Sequence, residues 1–351
     1  MTRIVTFNAL ALQARGSGVQ TYIRELMAAL CLVGPADPGA DRLQFAAHVQ
    51  RSESRSLPDC VVPQACADAR GSIRVVQGAL LDQGAGLFHG LNVELPLRRR
   101  RPLVSTIHDL AVLDTPWAFP KWRVALETKV LANAMRNADE LLAVSDFTAS
   151  RIKKHFGRTA TVTRLAPRPA FAPATADEVE AIRRRQQLPD RFVLHLGTVE
   201  PRKNTSGLAH ACADVGVPLV LAGSVQLDES LPGRVSRLGY VPDADVPALF
   251  GAATIVGYPS KYEGFGLPPI EAMACGAAVV ATDVGALPEV LNGAVPLAPA
   301  DDQPALVALL GDMLNDDAER EVIAQAGRRA VADLHWATTA ERTIAVYAGL
   351  F

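Results

Sequence analysis

The chain has 351 residues, 49% of them hydrophobic and 21% charged, and a net charge of −2. That length predicts two domains rather than one, and the composition is that of a globular protein. No apolar run approaches the roughly 18 residues of a membrane helix, and no nucleic-acid partner is expected.

In chain order, residues 4–7 read as a first buried strand. The start is a poor signal peptide, because its short apolar stretch runs into Gln13, Arg15 and Gly16. Gly16-Ser17-Gly18-Val19-Gln20 then opens a helix over 20–30, with Ile23, Leu26, Met27 and Leu30 on one face. Glycines there let the backbone approach an anion at the helix N-terminus, and an ordinary strand-to-helix turn explains them equally well. Thr21 stands where the dinucleotide fingerprint has its third glycine, which argues against NAD.

A strand follows at 44–49, and residues 50–70 are polar and weakly patterned, as in a surface excursion. Strands are predicted at 86–89, 103–107 and 140–144, and helices at 123–136 and 148–155. His108 and Asp109 end the 103–107 strand, where a histidine faces a ligand cleft or serves a structural role.

Residues 166–173 hold three prolines, Pro167, Pro169 and Pro173, and read as an interdomain linker. The strand–helix alternation then restarts. Strands are expected at 192–196, 218–222, 235–238, 255–258, 278–281 and 295–297, and helices at 205–215, 245–250, 269–274 and 304–314. Two βαβ blocks around a hinge describe two doubly wound domains with ligands at the strands' carboxyl ends.

The halves differ in charge. Residues 1–168 hold 22 Lys and Arg against 14 Asp and Glu, a balance of +8, and residues 169–351 balance at −10. The basic half suits an anionic surface or a phosphate-bearing acceptor, although a solvated face accounts for a cluster such as Arg98–Arg101. Five scattered cysteines, Cys31, Cys60, Cys66, Cys212 and Cys275, include no CxxC pair, so neither a disulfide framework nor a zinc site is expected and a reducing cytoplasm is.

Two segments carry chemistry. Arg202 and Lys203 follow the 192–196 strand, where a two-pronged donor and a point charge suit a diphosphate, and Asn204 or Thr205 is placed to cap the next helix. More specific is Glu263-Gly264-Phe265-Gly266-Leu267-Pro268-Pro269-Ile270-Glu271. Pro269 suits the first turn of a helix, Gly264 and Gly266 free backbone N–H groups, and Glu271 is expected in that first turn. Two carboxylates in one pocket suit the vicinal hydroxyls of a sugar and a ribose.

These residues resemble the family-4 retaining glycosyltransferases of the GT-B fold. The likeness spans nearly the whole chain, through Gly16-Ser17-Gly18-Val19, Thr106–Asp109, Val144–Thr148, Leu196–Asn204, Gly239-Tyr240-Val241, Glu263…Glu271 and His335–Ala340. It implies two Rossmann-like domains facing a cleft: an acceptor-side domain over 1–168, a nucleotide-sugar domain over 169–337, and a last helix, about 338–350, packed back on the first. It also implies roles. Arg202 and Lys203 neutralise the donor diphosphate, and Glu263 with the backbone of Gly264, Phe265, Gly266 and Leu267 holds the sugar. Glu271 binds the ribose, Tyr240 and Val241 meet the base, His108 lies beside the sugar, and Gly16, Gly18 and Asn204 complete the donor site. Most of the family has an arginine just after the strand glycine, whereas Thr198 follows Gly197 here and Arg202 directly precedes Lys203.

The resemblance further implies retention of anomeric configuration with no metal or other cofactor. Likeness of 106–119 and 197–204 to bacterial mannosyltransferases points to GDP-mannose, with a glycan or lipid-linked oligosaccharide as acceptor in surface polysaccharide synthesis. The enzyme would be cytoplasmic, in peripheral contact with the inner membrane. An epimerase or phosphorylase of the same fold, and a non-catalytic nucleotide-sugar-binding subunit, are the alternatives; no cofactor-binding lysine marks the phosphorylase.

Overall fold

The structure, a computed structural model, describes residues 3–13, 16, 18–33, 43–224 and 230–351. Met1, Thr2, Arg15 and Ser17 lie outside the described residues. The chain divides into two compact units, Met1–Leu165 with His335–Phe351, and Ala166–Leu334.

The first unit runs β1 (Arg3–Asn8), α1 (Gly18–Val33), β2 (Leu43–Gln50), β3 (Val61–Cys66), α2 (Gly71–Ala79), β4 (Leu87–Gly90), β5 (Leu103–Ile107), α3 (Ala111–Asp114), α4 (Lys121–Asn137), β6 (Glu140–Ala143), α5 (Asp146–Phe156) and β7 (Thr161–Val162). Its parallel sheet has the order β3-β2-β1-β4-β5-β6-β7. Every residue of β4 and β5 is buried, as a parallel strand covered by helices on both faces requires. Helix α1 turns Tyr22, Ile23, Leu26, Met27 and Leu30 inward, the face expected from its 3.6-residue spacing. Ser145 caps α5 by accepting from the Thr148 N–H, and Gly157 ends it in the left-handed conformation.

The expectation of a surface excursion over 50–70 is corrected: residues 51–56 form a 3-10 helix and β3 is the sheet's edge strand. Pro63 lacks an N–H and is tolerated at an edge. Val61 is buried while Val62 is exposed, so the apolar pattern is too thin to announce the strand.

The second unit runs α6 (Ala176–Gln186), β8 (Val193–Leu196), α7 (Thr205–Asp214), β9 (Leu219–Ala222), β10 (Val235–Gly239), α8 (Val246–Ala252), β11 (Ile255–Tyr258), α9 (Leu267–Ala274), β12 (Val279–Thr282), α10 (Leu287–Leu291), β13 (Leu297–Ala298), α11 (Gln303–Asn315) and α12 (Asp317–Val331). Its parallel sheet has the order β10-β9-β8-β11-β12-β13. Val193, Leu208, Leu221, Ile255 and Val280 meet Leu310 and Met313 of α11 in one core.

The last helix, α13 (Trp336–Ala348), belongs to the first unit and packs along α1. Tyr347 accounts for much of this. Its hydroxyl meets His89 Nδ1 at 2.6 Å, His89 Nε2 meets Thr106 Oγ1 at 2.8 Å, and Thr106 Oγ1 meets the Tyr22 hydroxyl at 2.8 Å. All four side chains are buried, and burial pushes His89 down to about 3, so the ring is neutral.

A second expectation is corrected. Cys31, near the end of α1, and Cys60, just before β3, form a disulfide with Cα atoms 6.0 Å apart. They are 29 residues apart, and the fold of the first unit rather than their spacing unites them. This removes the support that scattered thiols lent to a reducing compartment; Cys66, Cys212 and Cys275 are free. Among the described residues no helix is long and apolar enough to cross a membrane.

Candidate functional site

The second sheet reverses its winding at β8, which pairs with β9 on one side and β11 on the other. The loops leaving β8 and β11 therefore emerge side by side at the strands' carboxyl ends, where an open α/β sheet forms its binding crevice. The β8 loop carries Arg202 and Lys203 and the β11 loop carries Glu263. Lys203 Nζ lies 2.5 Å from Glu263 Oε1, and Arg202 Nη1 lies 3.7 Å from Oε2. Arg202 also pairs with Glu200 at 2.8 Å and donates to the Tyr262 carbonyl at 3.3 Å. The backbone closes the same junction, since the Lys261 N–H donates to the Arg202 carbonyl at 2.7 Å.

Glu263 is 6% exposed. Burial by itself raises its carboxyl, but the Lys203 and Arg202 charges, with hydrogen bonds from Lys203 and Ser260, outweigh that and hold the acid below the ordinary carboxylate value. The Ser260 hydroxyl donates to Oε1 at 2.7 Å. Gly285 presses on the backbone here. A Cβ at that position would stand 2.3 Å from the Glu263 carbonyl oxygen, and its φ of +59° favours glycine.

Gly264, Phe265 and Gly266 make the turn into α9, with Gly266 as N-cap at φ 93°. The helix starts at Leu267, two residues before Pro269, because Pro268 and Pro269 both fit a first turn that needs no N–H donor. Glu271 consequently sits in the second turn rather than the first, a correction to the expected placement. It is 2% exposed and does not join the Lys203 cluster. Arg168 instead grips it with two parallel bonds, Nε to Oε1 at 2.7 Å and Nη2 to Oε2 at 3.1 Å. Burial raises the Glu271 carboxyl, and Arg168 recovers only part of that shift.

Asn204 stands at the N-cap of α7 in the left-handed conformation, but its side chain makes no capping bond, contrary to that expectation. Tyr240 is 46% exposed and Val241 buried, in the loop after β10. In the first unit, Gly16 and Gly18 flank the start of α1, whereas Ser17 lies outside the described residues. His108 follows β5, its ring edge-on to Tyr22 at 4.7 Å, and its Nε2 meets the Leu91 carbonyl at 2.9 Å. That contact makes Nε2–H the donor, and burial lowers the ring's pKa, so the imidazole stays neutral. Asp109 accepts from the Ala111 N–H at 3.0 Å and so stabilises the turn into α3.

Sequence reasoning missed Arg168, Ser260 and His195. Arg168 was visible only as a linker residue, 103 positions from its partner. His195, on β8, gives Nδ1 to the Gly257 carbonyl at 2.9 Å, and its buried Nε2 has no hydrogen-bond partner among the described residues. Burial pushes this ring down to about 4. Among the described residues no group of three or more His, Cys, Asp or Glu side chains is gathered for a metal ion.

Comparison with known proteins is consistent along the chain. Residues 178–330 match the profile described as glycosyl transferases group 1, and residues 81–169 match glycosyltransferase family 4. The chain is 35% identical over 289 residues to the O-antigen chain mannosyltransferase B of Escherichia coli, covering 77% of this chain and 76% of that protein. In structure it is similar to the sucrose-phosphate synthase of Thermosynechococcus elongatus, with a TM-score of 0.78 at 22% identity, covering 100% of this chain and 99% of the other. It is also similar to HepE of Anabaena solved with UDP and glucose, with a TM-score of 0.74 at 19% identity, covering 100% of both chains.

Proposed function

This chain belongs to glycosyltransferase family 4 and has the GT-B fold, and on that premise we propose that it transfers mannose from GDP-mannose, with retention, onto a glycan or lipid-linked oligosaccharide of a surface polysaccharide. The observation that carries this reading is the meeting of Lys203, Arg202 and Glu263 where the second sheet reverses. The cations and the acid neutralise one another. A nucleotide-sugar exchanges that contact for two better ones, diphosphate on Arg202 and Lys203 and a sugar hydroxyl on Glu263. As the sugar–phosphate bond breaks, negative charge grows on the leaving phosphate and the fixed cations stabilise it. The leaving phosphate accepts the acceptor hydroxyl's proton on the same face of the sugar, which gives retention. The Phe265–Leu267 backbone supports the sugar, Glu271 the ribose, and Tyr240 and Val241 the base. Asn204 completes the donor site on the second unit.

The mannose assignment is supported by the E. coli mannosyltransferase relative. Incubation of the purified protein with GDP-, UDP- and dTDP-sugars tests it, and exclusive turnover of a UDP-sugar rejects it. No metal is needed in this scheme, so turnover should survive a chelator. We also place the enzyme at the cytoplasmic face of the inner membrane, held by the basic first half. Cosedimentation with anionic vesicles that weakens as salt rises is the expected result.

A further inference from the structure

We propose that Arg168 is a positioning residue for the nucleoside end of the donor: it fixes the plane of the Glu271 carboxylate and links it to the loop that carries Tyr240 and Val241. This deepens the reading above and rests on it. Arg168 makes contacts on three sides. Two parallel bonds reach Glu271, Nη1 pairs with Asp243 at 2.8 Å, and the guanidinium lies 3.9 Å over the Phe171 ring. Asp243 begins the short 3-10 turn just after Tyr240-Val241-Pro242. A single planar cation thus couples helix α9 to the base-side loop, and Phe171 supports it from the chain's own next turn, where the Phe171 N–H donates to the Arg168 carbonyl at 2.9 Å.

The chemistry follows from lone pairs. An ionised carboxylate offers about four acceptor sites and a bidentate arginine uses two, one per oxygen. The Arg168 backbone N–H also bonds this carboxylate, which leaves one acceptor site for a ribose hydroxyl. Without Arg168 the buried carboxyl rotates freely or takes a proton, and a protonated acid is a poorer partner for that hydroxyl. Burial already raises Glu271, and the charge of Asp243 raises it further. Burial also raises Tyr258 of β11 and pushes Cys275, just past α9, up to about 12.

Calorimetric titration of the full chain with GDP and with its dideoxyribose analogue, alongside the UDP pair, tests this. Wild type should prefer the ribose form of the nucleotide it binds by about tenfold. Arg168→Gln and Glu271→Gln should each lose that preference, and the double variant should bind no more weakly than Glu271→Gln alone. Arg168→Lys keeps the charge without the fork. It should raise the donor KM about five- to tenfold at nearly unchanged kcat, and on acidification its binding should weaken at a higher pH than that of wild type. If Arg168→Gln lacks a native far-UV spectrum, Arg168→Lys carries the test. Wild-type ribose preference in both Arg168 variants, or effects that add to those of Glu271→Gln, overturns the inference alone. Absence of ribose preference in wild type, or of binding to either nucleotide, overturns the donor-site reading together with it.

Discussion

The ammonium of Lys203 and the carboxylate of Glu263 lie 2.5 Å apart although 60 residues separate them in sequence. Strands β8 and β11 are neighbours, so a long separation in sequence becomes a short one in space. The pair is the centre of the proposed donor site and sets the first expectation. Lys203→Ala and Glu263→Ala should each lower transfer by about a hundredfold or more, with kcat/KM measured on the accepted donor. Each should retain a native far-UV spectrum, and near-normal rates would remove the assignment.

The same pair predicts an acid dependence of stability. The folded Glu263 carboxyl lies below its ordinary value, so the folded state binds its proton less tightly than the unfolded chain does. Its stabilising contribution is full above the ordinary value and lost as pH falls through the lowered one. Glu263→Gln should flatten the fall of Tm with pH across the acid range, and an unchanged slope would show that Lys203 and Arg202 do not hold the charge.

Gly285→Ala should destabilise the second unit by about 1–3 kcal/mol. Its Cβ would meet the Glu263 carbonyl and strain a backbone that already has positive φ. Activity should fall as well, because the chain that carries Glu263 must shift. Denaturant unfolding and initial rates together check both effects.

Tyr347→Phe should cost about 1–3 kcal/mol, since it leaves His89 Nδ1 buried without its partner. Donor affinity should not change, because Tyr347 is fully buried and makes none of the proposed donor contacts. A loss of stability paired with a change in donor KM would contradict this separation.

Peptide mapping under non-reducing conditions after alkylation should recover Cys31 linked to Cys60, with Cys66, Cys212 and Cys275 alkylated. Replacement of both linked cysteines by serine should lower stability by about 3 kcal/mol.

The alternation of strand and helix, the strand positions that form both sheet centres, and the membership of Arg202, Lys203 and Glu263 in one site were legible in the sequence. Local patterns record burial on both faces of a parallel strand, and the two-carboxylate spacing is specific. What was hidden has a physical cause in each case. β3 is an edge strand with Pro63 and too few inward residues to show a period. The start of α9 moved because proline satisfies either of two positions in a first turn. Arg168 and Cys31 find partners that are close only through tertiary structure, and no spacing rule connects an arginine between prolines to a helix about a hundred residues on.

Helix α13 imposes an order on synthesis. A ribosome delivers the whole of Ala166–Leu334 before Tyr347 can reach His89. The second unit is therefore free to finish folding while the first still lacks the helix that covers α1. During that interval the inward face of α1 and the buried pair of Thr106 and His89 await their cover, so the earlier-made unit is the later to mature.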